Sequence, residues 1–268
     1  MTDFDFCYRF QNWQKIEPED SIKPKPVAKC GIASTRNEIF IHGGNDLDTD
    51  ELIDQFCSFS FLTNTWTQHS PKGDKPPLRV GHSMCGFEDR LWVGFGYNKT
   101  EWFNDIYEYN VETNTFKKIP TNSAPLGRYS FTFLYHKGSI YLFGGVPKSG
   151  KRLNDTWRFN LQTEQWQELH TTGNIPKGRS SHTSAIYRDS MVIFGGLDYR
   201  IRRNNDIHLL DLNTLVWTEI NASPAYFEIQ PKFESQKTKQ PQNPQQDGAS
   251  GTIVRPRFLL QFDPKTKL

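Results

Sequence analysis

Three stretches of this sequence hold residue types that could do chemistry. In GGVPKSGKR, residues 144–152, Gly145, Gly150 and Lys151 stand where a phosphate-cradling loop needs them, but Arg152 replaces the Ser or Thr whose hydroxyl would hold magnesium. Such a loop also requires a strand that turns into a helix N-terminus, whose N–H groups and dipole meet the anion. In NDLDTDELID, residues 45–54, Asp46, Asp48 and Asp50 alternate like the first ligands of a calcium loop. Glu51 then occupies the position that needs glycine, and Cys57 falls where the bidentate glutamate belongs. In RVGHS and RSSHT, Arg79 precedes His82 and Arg179 precedes His182, a cation beside a titratable base. The cysteines, Cys7, Cys30, Cys57 and Cys85, lack the C-x-x-C spacing of a zinc knuckle or redox pair and read as free, mostly buried thiols.

The chain as a whole gives no electrostatic hint of a partner. A net charge of +2 over 268 residues supplies too little field to imply nucleic acid or a membrane surface. The start, MTDFDFCYRF, lacks a basic segment followed by an apolar one, and no apolar run approaches the roughly 18 residues of a membrane span. We expect a soluble cytoplasmic chain, with the nucleus as the alternative address, and no cofactor.

Self-comparison explains the three stretches. Four segments share an apolar run, a glycine pair, a variable loop, an aromatic run, and a Thr three residues before an aromatic. The threonines are Thr63, Thr113, Thr163 and Thr214, and the aromatics Trp66, Phe116, Trp166 and Trp217 recur at intervals of 50, 50 and 51 residues. Arg79, Arg128 and Arg179 keep the same period, with Lys29 read as the first member of that series. The apolar runs are short, rich in Ile, Val, Tyr and Phe, and end in glycine or polar turn residues, which favours strands. Four strands per repeat follow, in the third repeat about YSFTFLY, SIYLFGG, DTWRFNL and QWQEL, named a to d. The second is apolar on both faces, as expected of a sheet packed between two others. Gly144 and Gly145 are then the repeat's own pair, and VPKSGKR is a connection from strand b to strand c with no helix behind it.

The glycine pair, the N-D-x-[YWH] segments at Asn104-Asp105, Asn154-Asp155 and Asn205-Asp206, the T-x-x-W turn and the R-x-[GS]-H motif resemble Kelch repeats over about residues 13–220. The resemblance implies an all-β fold, a Kelch-type β-propeller of four-stranded antiparallel blades. It also implies a non-catalytic protein-interaction module, in settings such as a cullin ubiquitin ligase substrate receptor or an actin-associated scaffold. Arginines needed once per blade read as structural guanidinium groups that satisfy carbonyls and stack on aromatics, and the Asn-Asp pairs as turn formers at strand c. The alternative is a metal-dependent enzyme built in the propeller channel. Among similar proteins, plant specifier proteins hold iron through E-x-x-x-D-x-x-x-H, and the nearest approach here, Glu101, Asp105 and Tyr109, lacks the histidine. No constellation resembling that of the copper-radical oxidases is evident.

Antiparallel strands place the b–c and d–a connections on one face. The b–c connections differ between repeats, and variable loops are where such folds put recognition. Their charge changes around the ring. Asp46, Asp48 and Asp50, with Glu51 and Asp54, lie on one side, and Lys148, Lys151, Arg152, Arg200, Arg202 and Arg203 on the other. Tyr199 and Trp102 are the expected apolar anchors for a protein ligand whose acidic segment meets the arginines. At the ends, NWQKI around Trp13 matches a strand d, and RPRFLLQF at 255–262 restarts strand a. The sequence therefore reads as blades over 1–220, a polar Gln-rich disordered insertion over 221–254 and the first strand of a further blade over 255–268. Such a ring, incomplete with four full blades plus orphan strands at both ends, would be part of a longer protein or be completed by a partner or by self-association.

Overall fold

The computed structural model describes residues 15–18 and 23–220. Trp13, Cys7, the expected insertion at 221–254 and the expected strand at 255–268 lie outside the described residues.

Each repeat forms one sheet with four antiparallel strands in the order a-b-c-d, to which blades 2 and 4 add a two-residue strand parallel to d at the outer edge. Blade 1 consists of β1 (Gly31–Ser34), β2 (Glu38–His42), β3 (Phe56–Ser60) and β4 (Thr65–Gln68). A short β5 (Lys72–Gly73) leads into blade 2, made of β6 (Ser83–Phe87), β7 (Arg90–Gly94), β8 (Ile106–Asn110) and β9 (Thr115–Ile119). After β10 (Arg128–Tyr129), blade 3 contains β11 (Thr132–His136), β12 (Ser139–Phe143), β14 (Thr156–Asn160) and β15 (Gln165–Glu168), with β13 (Val146–Pro147) paired to β10. After β16 (Thr172–Gly173), blade 4 contains β17 (Thr183–Tyr187), β18 (Ser190–Phe194), β19 (Ile207–Asp211) and β20 (Val216–Ile220). The a strands neighbour one another in succession, β1 beside β6, β6 beside β11 and β11 beside β17, so the blades radiate from a common axis as a β-propeller.

The alternation within each strand explains why the sheets stack. Phe40 and Phe56 of blade 1 meet Leu91, Val93 and Tyr109 of blade 2. Trp92 and Ile106, on the other face of blade 2, meet Phe133, Ile140 and Phe159 of blade 3. Tyr141 and Phe143 then meet Met191, Ile193 and Trp217 of blade 4. Strand b contributes to both neighbouring seams, and all five residues of β12 are buried. The outward face of β1 is open instead, with Ile32 57% exposed.

The recurring arginines hold each blade together from within. Arg79 donates through Nη1 and Nη2 to the two carboxylate oxygens of Asp105 at 2.7 and 3.1 Å, through Nη1 to the Phe95 carbonyl at 3.0 Å, and through Nε to the Pro77 carbonyl at 3.0 Å. Its guanidinium also lies 4.3 Å from the Phe103 ring centroid. Arg128 repeats the pattern on Asp155, Gly144 and Leu126, and Arg179 on Asp206, Gly195 and Lys177. The Asn-Asp pairs therefore do more than form turns: their aspartates are the bidentate counter-ions of buried cations. For Asp206, burial opposes ionisation, but the Arg179 hydrogen bonds overcome it and draw the carboxyl down to about 2.

Blade 1 departs from this scheme, and the assignment of Lys29 to the arginine series is corrected. Ala28 bridges Asn45 as Val80 bridges Tyr97, which places Val27 at the arginine position. Lys29 instead matches Gly81, Ser130 and Ser181, all with left-handed backbone, φ 54–64°. Gln55 replaces the aspartate, and its amide bonds both backbone groups of Lys25, accepting from N–H at 3.0 Å and donating to C=O at 3.4 Å. A neutral amide thus does the work of an ion pair once the cation is gone.

Backbone bonds tie successive blades. Gly44, Gly96 and Gly145 donate to the carbonyls of Arg79, Arg128 and Arg179 at 3.2, 2.8 and 2.8 Å, each reaching the next blade. Nearer the axis, Gly81 donates to Lys29, Ser130 to Gly81 and Ser181 to Ser130. The second glycine of the pair is obligatory: at Gly96, φ is +84° and a Cβ would fall 2.7 Å from the Val80 carbonyl oxygen. The first is not, since Phe95 takes that left-handed place with φ 62° and adds its ring to the core. The Asn64 amide donates to the Glu17 carbonyl at 2.9 Å, as that of Asn114 does to Ser70.

Two predictions follow from the buried polar groups. Arg128→Ala leaves Asp155 and the Gly144 carbonyl without their partner, and should lower the unfolding free energy measured in urea by about 3–5 kcal/mol; a loss under about 1 kcal/mol would contradict the clamp. Histidines 42, 82 and 182 are the second group. His42 Nδ1 lies 3.0 Å from His82 Nε2, which also accepts the Gly31 N–H, and His182 Nε2 lies 2.7 Å from Thr132 Oγ1. Burial, with a nearby arginine adding to it, pushes His42 and His182 down to about 3 and His82 well below its ordinary range. Neutral imidazoles therefore give their full stability above about pH 6.5, and each should cost about 1.4 kcal/mol per pH unit as pH falls below that. His182→Phe, which copies Phe131 in blade 3, should remove one proton from that slope. Equal stability at about pH 7 and pH 5 would refute it.

Candidate functional site on the loop face

The face that carries the a–b and c–d turns is uniform. Oδ1 of Asn110, Asn160 and Asp211 accepts the N–H of Thr113, Thr163 and Thr214 at 3.0, 3.0 and 2.8 Å, so the recurrent threonines mark one turn geometry. The opposite face carries the b–c loops and is different at every blade.

Three of those loops share an anchor that the repeat pattern did not reveal. The second residue after the glycine pair is Asp46, Asn98 or Asp198, and its side-chain oxygen accepts backbone N–H groups of the loop. Pro147 occupies this place in blade 3 and forms β13 instead. The anchor decides which charges face outward. In blade 1, the Asp46 carboxylate accepts from Thr49 and Asp48, and these bonds hold it below the ordinary carboxylate range. Asp50 accepts the Asn45 amide at 2.6 Å, whereas Asp48 lies exposed at the tip beside Leu47.

Loops 2 and 3 converge. The Trp102 ring stacks on Tyr97 with centroids 5.4 Å apart, and Lys148 of the next blade places Nζ 5.8 Å from the Trp102 centroid. Trp102 is half-buried beneath this pair. Lys151 is exposed, while Arg152 is half-buried and donates through Nε to Ser180 Oγ at 3.0 Å, linking loop 3 to blade 4. The stretch that imitated a phosphate loop is thus a turn, closed by the Gly150 N–H on the Pro147 carbonyl at 2.9 Å, with no helix after it.

Loop 4 is the most exposed. Asp198, 2% exposed, accepts the N–H of Arg200 and Arg202 and the guanidinium of Arg202. All three arginines of the loop are exposed, but the Arg202 guanidinium is already paired with Asp198, which leaves Arg200 and Arg203 as the cations open to a partner. Tyr199 is 63% exposed beneath the Arg200 guanidinium, and Ile201 is 67% exposed. Ile201 was missed by sequence reasoning, which weighed the arginines around it; an aliphatic residue at the centre of a cationic loop was the available signal. Tyr199 and Trp102 belong to separate anchors, one under Arg200 and the other under Lys148.

A polar hollow of about 220 Å³ lies at the seam of blades 1 and 2, walled by His42, Asp54, His69 and Lys75 over Phe56 and Phe116. Among the described residues no three His, Cys, Asp or Glu side chains converge as a metal site. At the positions nearest to the specifier motif, Asp105 is held by Arg79 and the buried Tyr109 donates its hydroxyl to Asn114 at 2.9 Å, so two of the three residues serve the blade.

Radial four-stranded blades, three of the four closed by a buried arginine and an aspartate, with variable loops on one face, define a β-propeller of the Kelch type. A family model described as the KLHDC2/KLHL20/DRC7 Kelch-repeats domain matches residues 4–139 and 119–233, and the chain belongs to the Kelch-repeat family. It is similar to the Drosophila melanogaster leucine-zipper-like transcriptional regulator 1 homolog, 29% identical over 212 residues that cover 75% of this chain and 22% of the relative. It is 26% identical over 235 residues to a Thlaspi arvense N-(sulfonatooxy)prop-2-enimidothioate sulfolyase, covering 79% of this chain and 67% of that protein. Tip elongation aberrant protein 1 of Schizosaccharomyces pombe is 39% identical over 110 residues, 39% of this chain and 10% of the relative. The chain thus spans less than a quarter of the first and third of these proteins.

Proposed function

We propose that this propeller is a non-catalytic scaffold that holds a protein partner on its loop face, with the basic sector of blades 3 and 4 meeting acidic groups of that partner. One observation carries the reading: the buried arginines, aspartates, glycines and aromatics recur and serve the blades, while the b–c loops differ from blade to blade in charge and in what they expose. Lys151, Arg200 and Arg203 are exposed cations that hold no carboxylate among the described residues, whereas Arg202, though exposed, is paired with Asp198 and Arg152 is bonded to Ser180. Asp48 supplies the opposite sign two blades away, which orients a dipolar partner more than it adds affinity. A cullin ligase substrate receptor or an actin-associated scaffold is the wider setting we favour, in the cytoplasm or nucleus, and cullin or actin in the captured material would tell them apart.

Affinity capture with the wild-type chain beside a Lys151→Glu, Arg200→Glu, Arg203→Glu variant tests this. A protein partner should be lost from the variant, and wild-type capture should weaken as ionic strength rises. Equal capture by both, with no dependence on salt, would contradict the basic sector as the contact.

A further inference from the structure

The blade 4 loop is built in a way that a solvated connection does not need. Asp198 Oδ1 accepts the N–H of Arg200 at 2.8 Å and of Arg202 at 2.9 Å, and Oδ2 accepts Nε and Nη2 of Arg202 at 2.9 and 2.8 Å. The Asp198 N–H donates to the Arg202 carbonyl at 3.1 Å, the Ile201 N–H donates to the Asp198 carbonyl at 2.9 Å, and Leu197 bridges Arg203. The turn is therefore closed by its own hydrogen bonds and fixed to one buried carboxylate.

The consequence falls on Ile201. It is held at φ 60°, a left-handed conformation in which a β-branched side chain crowds its own backbone. A loop that only had to turn would carry Gly or Asn there, as the chain does with Gly150 in blade 3. Ile201 instead points an aliphatic group into solvent beside Tyr199, and neither belongs to a core cluster. Strain combined with apolar exposure, at a tip that the fold makes rigid, is the signature of a binding element. Arg200 sits over the Tyr199 ring with Cζ 5.1 Å from its centroid, and Arg203 lies on the other flank.

We infer that residues 199–203 form a preorganised finger that inserts Tyr199 and Ile201 into an apolar pocket of a protein partner whose rim presents carboxylates to Arg200 and Arg203. This rests on the reading of the loop face as the partner-binding surface, and it specifies the partner's shape: a concave pocket rather than an extended acidic strand. Rigid aromatic and aliphatic anchors at the centre with charges around them are the arrangement that concentrates binding energy, and a turn already ordered loses little entropy on docking. An anionic membrane is a poorer match, because the exposed Asp48, Glu51 and Asp54 of blade 1 share this face and would be repelled by it.

The test uses the full chain with p-benzoylphenylalanine in place of Tyr199, crosslinked in cell extract and mapped by mass spectrometry, followed by affinities for the protein so identified. The crosslink should fall on apolar residues neighboured by Asp or Glu. Ile201→Asp should weaken binding at least about tenfold. Ile201→Gly should separate binding from folding: it relieves the strained φ and should raise the melting temperature, while lowering affinity by a similar factor. Arg200→Gln with Arg203→Gln should weaken binding strongly at low salt and little at high salt. The finger is refuted if Ile201→Asp and Ile201→Gly bind like wild type while the charge-reversed triple variant does not, an outcome that leaves the loop-face reading standing. If none of these variants loses the partner, both readings fall. Sedimentation with phosphatidylserine vesicles that depended on Tyr199 and Ile201 would also overturn the inference in favour of a membrane.

Discussion

A guanidinium group shut away from water is the constraint around which each of blades 2 to 4 is organised. Arg79, Arg128 and Arg179 are at most 1% exposed, and a cation so placed is tolerable only if its donors are met by a carboxylate and by carbonyls. The repeat supplies both. The aspartate opens strand c, one carbonyl comes from the glycine-pair slot that ends strand b, and another from the connection that enters the blade. One side chain thus fixes the start of a blade, the end of its second strand and the beginning of its third. Because the carbonyl of the same arginine accepts a glycine N–H from the preceding blade, the clamp also sets the angle between neighbours.

This arrangement explains why some positions vary and others do not. Blade 1 lacks the cation, and its aspartate has become Gln55, because an unpaired buried carboxylate would be costlier than an amide. The first place of the pair is filled by Phe95 in blade 2, at a strained left-handed φ of 62° with its ring in the core, whereas at Gly96 a Cβ would fall 2.7 Å from the Val80 carbonyl oxygen. The central aromatic is Trp in three blades and Phe116 in one, because its indole N–H has no partner in blades 3 and 4: Trp166 and Trp217 are buried with Nε1 unbonded. Packing is what that position requires.

Much of this was legible in the sequence. The fifty-residue period gave the number of strands, their order and the face on which the loops lie, because each landmark is tied to a specific backbone need. What escaped was set by contacts between distant positions. Nothing in the spacing of Arg79 and Asp105 said that they were partners, so the aspartates read as turn residues. The misplacement of Lys29 has a similar origin: one cation resembles another in a string, but only the bridge between Ala28 and Asn45 fixes the register. At the loop face, charge could be counted but not its use. The sequence does not disclose that Asp46 and Asp198 are turned inward to organise their own loops, nor that Arg202 is claimed by Asp198 while Ile201 is left at the tip.

Architecture and recognition are therefore held by different residues, and exchanging a loop tests that division most directly. Replacing residues 197–205 with the blade 2 loop, residues 97–104, keeps the glycine pair, Arg179 and Asp206, and substitutes one anchored turn for another. The account predicts a melting temperature within a few degrees of wild type together with loss of the captured protein. A graft that retained the partner unchanged, or that unfolded the propeller, would show that the blade 4 loop is not separable in this way.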